Sequence, residues 1–147
     1  MTHDKQGHYS LKEAAARAHD PALVAEVERS GGAAGLACAA AEELAAGSGC
    51  PASAVGAAAD SREIKLVACQ LGLFGYETAS GRHPAFAPAE TVAPELERAV
   101  REALADGRLS CEAAWAIAAG LGIGRLDVAR AAEGLGVRIS ACQLGAF

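Results

Sequence analysis

Aromatic side chains are scarce: Phe, Tyr and Trp make up 4% of 147 residues, with a single Trp, and methionine occurs once. The core must therefore come mainly from Ala, Leu, Val and Ile within a chain that is 52% hydrophobic. Each such side chain removes little area from water, so a unit of about fifty residues is marginal alone and is expected to share an interface with a neighbour. Long apolar runs are missing as well, and nothing approaches the ~20 residues needed to span a bilayer. The opening MTHDKQGHYSLKEAAARAHD is polar and then amphipathic, without the apolar centre of a signal peptide. These absences predict a cytoplasmic protein with no membrane partner, whose five cysteines are thiols first.

Positive charge is also in deficit. Thirteen Lys and Arg face 18 Asp and Glu, a formal charge of −5, which disfavours a broad phosphate-binding surface. Catalytic signatures are lacking: there is no HExxH, phosphate loop, dinucleotide fingerprint or nucleophile elbow. The four histidines, His3, His8, His19 and His83, all lie outside the repeated segments described next. The expectation is a protein that is not an enzyme.

What the chain does contain is an internal repeat. Residues 21–74 align without a gap on residues 94–147, every match lying 73 positions apart, and 20 of the 54 positions are identical. Pro21 falls on Pro94, Cys38 on Cys111, Gly47 on Gly120 and Val55 on Val128, and the run Ala-Cys-Gln-Leu-Gly recurs whole at 68–72 and 141–145. The resulting organisation is an N-terminal helical extension (1–20), a first repeat (21–74), a linker rich in Gly, Pro and Ser (75–93), and a second repeat (94–147), the two repeats packing on each other. Ser10 and Glu13 form a capping box for a helix in the extension, and Asp20-Pro21 starts the next helix.

The second repeat displays its elements most clearly. Pro94 suits the first turn of a helix that continues to Gly107. Ser110 caps a second helix whose buried stripe is Ala114, Ile117, Ala118 and Leu121, and the glycines at 120, 122 and 124 break it. A third helix runs from Arg125 to Glu133, burying Val128, Ala131 or Ala132, and then Leu135. Residues 137–144 alternate as a strand, with Val137, Ile139 and Ala141 on one face.

Two short helices joined by a glycine-bearing turn, the second ending in Leu-Gly-Val-Arg-Ile, resemble the helix-turn-helix pattern over 109–139 and less closely over 36–66. The resemblance extends to winged-helix domains, with 107–110 and 137–144 as a minimal ladder, although no room remains for a complete wing hairpin. The fold class expected is mainly α: tandem duplicated helix-turn-helix-like units, each ending in a short β-strand. A winged-helix arrangement implies that the strand entering the second helix pairs with the strand after the third. That pairing brings Cys38 towards Cys69, and Cys111 towards Cys142.

Three functional readings follow. The leading one is a non-catalytic protein-interaction or regulatory module whose scaffold has lost most of its positive charge. Its candidate interface is Trp115, Cys69, Gln70, Cys142 and Gln143. Trp115 aligns with Glu42, which places it on the exposed side of the second helix as an anchor for a partner or for the linker. Strict alternation puts Cys69 and Cys142 on the face opposite Ile64/Leu66 and Val137/Ile139. Either a bulge resets the register or the thiols face the other repeat, and the second option makes the repeated pentapeptide an interface motif. Gln70 and Gln143 then need partners for their amides, in the backbone or across the interface.

The second reading is a DNA-binding transcriptional regulator that uses Arg125 and Arg130 on the third helix and Arg138 on the strand. The corresponding helix of the first repeat carries no basic residue before Arg62. The third reading gathers Cys38, Cys69, Cys111 and Cys142 into one four-thiolate site for zinc or an iron-sulfur cluster, which soft ligands suit. The C-x2-C spacing of recognisable zinc sites is missing, and small buried cysteines in an Ala-rich core are the plainer account.

Overall fold

The computed structural model describes residues 20–74 and 86–146. Within them the chain is mainly helical, with six α-helices and four short strands. It divides into two compact units: unit 1 is 20–68 together with Leu144–Ala146, and unit 2 is 69–74 together with 86–143. The repeat boundary drawn from sequence at residue 74 thus differs from the packing boundary at Cys69. The helix expected in 1–20 lies outside the described residues.

Unit 1 begins with α1 (Pro21–Ser30), started by Asp20, whose side chain accepts from the Ala22 amide at 2.9 Å, and by Pro21 at the first helical position. Its Leu23, Val24 and Val27 share one buried face. A two-residue strand β1 (Leu36–Ala37) leads straight into α2 (Cys38–Ser48), which buries Cys38, Ala41 and Ala45 at one-turn spacing. Gly49, at φ 63°, ends α2 in the left-handed conformation that glycine adopts most readily. Then follow α3 (Ala52–Ser61), with Ala54, Val55, Gly56, Ala58 and Ala59 all buried, and β2 (Leu66–Val67). The strands pair in parallel, Leu36 beside Leu66 and Ala37 beside Val67. Parallel neighbours need a crossover, which α2 and α3 supply.

Unit 2 has the same order of elements: α4 (Pro94–Glu102), β3 (Arg108–Ser110), α5 (Cys111–Leu121), α6 (Arg125–Gly134) and β4 (Arg138–Ser140). The ladder is again parallel, pairing Arg108 with Arg138, Leu109 with Ile139 and Ser110 with Ser140. Ser110 caps α5 by accepting from the Ala113 amide at 3.1 Å. The buried residues of α5 and α6 include Ala114, Ala118, Val128, Ala131 and Ala132, while Ile117, Leu121 and Leu135 are half-buried.

Two expectations require correction. Helix α4 stops at Glu102 rather than Gly107, because Ala105 and Arg108 exchange both backbone hydrogen bonds, at 2.9 and 3.0 Å, across a two-residue turn. Asp106 and Gly107 have φ of 52° and 75°, as a tight hairpin turn of that twist requires. The final strand is Arg138–Ser140 and not 137–144. Ala141 has φ 54° and Ala68 has φ 53°, so the backbone turns out of the pleat at both places and alternation does not reach Cys142 or Cys69.

Unit 2's core joins Cys69, Leu71, Val100, Leu109, Cys111, Ala114, Ala118, Val128, Ala129, Ala132 and Val137. Among the described residues no helix is long and apolar enough to cross a membrane.

Candidate functional site

Most of the residues singled out from sequence converge in unit 2, around the N-terminal ends of α5 and α6. Cys111 is the first residue of α5 and Trp115 stands one turn later on the same face, while Arg125 is the first residue of α6. The start of α6 is held by Asp127, whose carboxylate accepts from the Gly124 amide at 3.3 Å. From there the Arg125 guanidinium lies over the Trp115 ring, its central carbon 3.5 Å from the ring centroid. Its Nη1 donates to Oε1 of Gln70. A guanidinium on an indole face is worth about 0.5–2 kcal/mol according to how far water is excluded. Trp115 is half-buried and packs against the core, rather than standing on the exposed side of α5, because α6 brings Arg125 across its face. The indole Nε1 is buried and has no hydrogen-bond partner among the described residues.

A second cluster surrounds Cys111. Gln143 Nε2 donates to the Cys111 sulfur at 3.5 Å, and the Gln143 backbone amide donates to the same sulfur. Burial is the largest influence on this thiol and pushes its pKa above the ordinary value of 9.0. The two donations from Gln143 oppose that push, while the thiols of Cys142 and Cys69 add to it. Cys111 is therefore a neutral thiol at physiological pH, neither a ready nucleophile nor a preformed thiolate ligand. Cys69 is buried in the core and Cys142 is half-buried. Cys38 belongs to unit 1, where it opens α2 and is buried. Among the described residues no group of three or more His, Cys, Asp or Glu side chains is arranged to hold a metal ion.

The three arginines of the DNA-binding reading differ in their surroundings. Arg125 is engaged with Trp115 and Gln70. Arg130, on the exposed side of α6, donates through Nε to the Ala87 carbonyl at 3.1 Å, and its own carbonyl accepts from the Ala89 amide at 3.0 Å. These bonds lay the segment after residue 86 along α6. The approach is tight: a Cβ at Gly134 would come within 2.5 Å of the Ala89 carbonyl oxygen. An open pocket of about 430 Å³ lies there, lined by 87–93, Leu96, Asp127, Arg130 and Ala131. Arg138 is exposed on β4 beside Arg108 of β3.

Three features of this site escaped sequence reasoning. Arg108 lies on the strand expected over 107–110, but its pairing with Arg138 follows only from the register of the ladder. Leu126, a large apolar side chain 43% exposed on α6, has one methyl 2.9 Å from where a Cβ on Gly72 would lie, and no periodicity distinguishes it from a core position. Phe86 packs against unit 2's core and approaches Gly72, where its ring carbon would lie 2.7 Å from a Cβ; residues 75–85 of the linker lie outside the described residues. The histidines lie outside them too. Comparison of the chain with protein-family models, with curated proteins and with solved structures found no match.

Proposed function

We propose that the chain is a non-catalytic protein-interaction or regulatory module, built from two copies of one helix-strand-helix-helix-strand unit on a helix-turn-helix scaffold. Duplication is supported by the 20 identities in 54 positions and by left-handed backbone at four pairs of positions 73 residues apart: Gly49 and Gly122, Glu63 and Gly136, Ala68 and Ala141, Gly72 and Gly145. The helix-turn-helix reading rests on the short, glycine-capped connection between α5 and α6 and its counterpart between α2 and α3.

The observation that carries the interaction reading is the engagement of Arg125. A helix that reads a DNA groove needs its donors free at the surface, whereas the first basic residue of α6 stacks on Trp115 and bonds Gln70. Arg130 is tied to Ala87, and α3 has no Lys or Arg at all. The same face of unit 2 presents exposed Leu126 and the segment along α6, which suit a protein partner.

The test places a photo-crosslinking residue at position 130 and captures partners in cells. A defined protein captured by the parent chain and lost on Leu126→Asp is expected. Steeply salt-dependent binding to genomic DNA, with no protein captured, would instead establish the DNA-binding reading. That second reading has one observation of its own: Arg108 and Arg138 are both exposed and directly paired, and like charges so placed are unfavourable without an anion between them. Neutralising Arg138 would then reduce the salt dependence by about one phosphate contact.

A further inference from the structure

The ladder of β3 and β4 sets two cations side by side. Its register pairs Arg108 directly with Arg138 and Ser110 with Ser140. Side chains two apart on a strand share a face, so both arginines and both serines stand on one face, with Leu109 and Ile139 on the other. Leu109 is wholly buried, the two arginines are exposed and the two serines are half-buried. Among the described residues neither guanidinium has an ion pair or a hydrogen bond, whereas the exposed Arg62 and Arg101 are paired with Glu28 and Glu97. Like charges placed directly opposite each other destabilise a ladder. The fold does not require them. Unit 1 builds the same parallel pair with Gly35 and Lys65 at the corresponding positions, and a Cβ on Gly35 would fall 2.5 Å from the Lys65 carbonyl oxygen. Unit 2 thus bears a repulsion that unit 1 avoids.

We infer that this face binds a phosphomonoester carried by a partner protein, the dianion lying between Arg108 and Arg138. The inference rests on the interaction-module reading and names the chemistry of its partner. Charge decides among the possible anions. A phosphorylated serine or threonine brings a charge of about −1.5 to −2 at neutral pH and three acceptor oxygens, enough to neutralise both guanidinia, whereas a carboxylate neutralises one. Each guanidinium presents a planar fork of donors that matches two phosphoryl oxygens, and the Ser140 hydroxyl adds a donor on the same face. A nucleic-acid backbone instead spreads single charges along its length and needs a track of cations. Here Arg108 is flanked in the chain by exposed Asp106 and Glu112, within a protein of net charge −5. A lone dianion meets the two arginines without running on into those carboxylates.

The test follows the arginine Nε–H resonances of the full-length, nitrogen-15-labelled chain at constant ionic strength. The probes are N-acetyl-O-phosphoserine amide, N-acetylglutamic acid amide and a short DNA duplex. The phosphoserine compound should shift the Arg108 and Arg138 signals together and saturably, and the glutamate compound should bind at least tenfold more weakly. Arg138→Gln should weaken the phosphoserine compound by roughly tenfold, the loss of one charged hydrogen-bonding partner. In chloride buffer the same variant should melt above the parent, because the repulsion is relieved, and the phosphoserine compound should raise the melting temperature of the parent alone. Failure to saturate, or shifts that survive Arg138→Gln and Arg108→Gln unchanged, overturns the inference. So does tighter binding of the duplex through the same two arginines, which would establish the DNA-binding reading. A final arm separates a partner's phosphate from a free one: a protein captured from lysate by the crosslinker at position 130 should be lost on Arg138→Gln and after phosphatase treatment of the lysate. Capture that depends on Leu126 but withstands both changes overturns the inference and leaves the interaction reading intact.

Discussion

In unit 1 the turn ahead of the first strand is Ala33-Ala34, flanked by bridged Gly32 and Gly35; in unit 2 it is Asp106-Gly107, flanked by bridged Ala105 and Arg108. Ala37 precedes α2 with no side-chain cap, whereas Ser110 caps α5. Glu42 occupies the position that Trp115 holds in α5, and Ala52 the position that Arg125 holds in α6. Despite these exchanges, Cys38 and Cys111, Ala41 and Ala114, Ala45 and Ala118, and Val55 and Val128 are all buried. Small apolar side chains at helix-packing positions are thus common to both units, while the chemistry at the helix starts differs. The cation on an indole face exists only in unit 2, so that unit is the one in which to look for function.

The largest expected effect breaks the comparison at the third helices. Gly56→Ala should destabilise the protein by about 2–3 kcal/mol, since its new methyl meets the Leu144 carbonyl rather than a side chain able to rotate away. At the matching position Ala129 already buries its methyl, and Ala129→Gly should cost about 1 kcal/mol through helix propensity. Urea denaturation of the two variants checks the order. A Gly56→Ala protein as stable as the parent would contradict the seating of Leu144 on α3.

Next comes the feature unique to unit 2. Arg125→Ala should lower stability by about 1 kcal/mol through loss of the cation-ring contact and the Gln70 hydrogen bond. The same variant should shift the emission of Trp115, the only tryptophan, to longer wavelength as water reaches its exposed face. Unchanged emission would mean that the guanidinium does not cover the ring in solution.

A smaller effect separates the two turns. Gly107 has φ 75°, so Gly107→Ala should cost about 1 kcal/mol by forcing a side chain into the left-handed region. Ala34 does not have positive φ, and Ala34→Gly should change stability by less than about 0.5 kcal/mol, mainly through unfolded-chain entropy. Equal effects in thermal melts would show that the turns are alike.

The smallest expected effect is a shallow pH dependence. Burial raises the Cys111 pKa above 9.0, so the stability it contributes is complete below the unfolded thiol's pKa. It declines as pH rises past that value, because the unfolded thiol ionises first. Melting temperature measured across this alkaline range should fall less in Cys111→Ala than in the parent. Parallel curves would imply that Gln143 offsets the burial entirely.

Much of the local structure was readable before the fold. Asp20-Pro21 and Ser110 announce helix starts through donors and fixed dihedral angles within a few residues, and the spacing of Ala114, Ala118 and Val128 marks the packed faces of α5 and α6. The candidate site was readable only in part. Trp115, Gln70, Gln143, Cys111 and Arg125 were each conspicuous, but the pairing of Arg125 with Trp115 joins two helices, and its bond to Gln70 joins positions 55 apart in the chain. Neither follows from spacing. The ends of the final strands were not legible because alanine carries no signal for left-handed backbone, so the turns at Ala68 and Ala141 interrupt a pattern that looks like uninterrupted strand.

The amino-acid sequence by itself determined the repeat, the helix caps and the small-residue faces, because each depends on propensity, periodicity and hydrogen bonds within a turn or two of chain. Only the tertiary structure decided that 69–74 completes unit 2, that Leu144–Ala146 completes unit 1, and that burial raises the Cys111 pKa against the opposing hydrogen bonds from Gln143. Those outcomes arise from burial and close packing between residues distant in sequence. The missing Cβ of Gly56 and the covered face of Trp115 acquire meaning only once another part of the chain is placed against them.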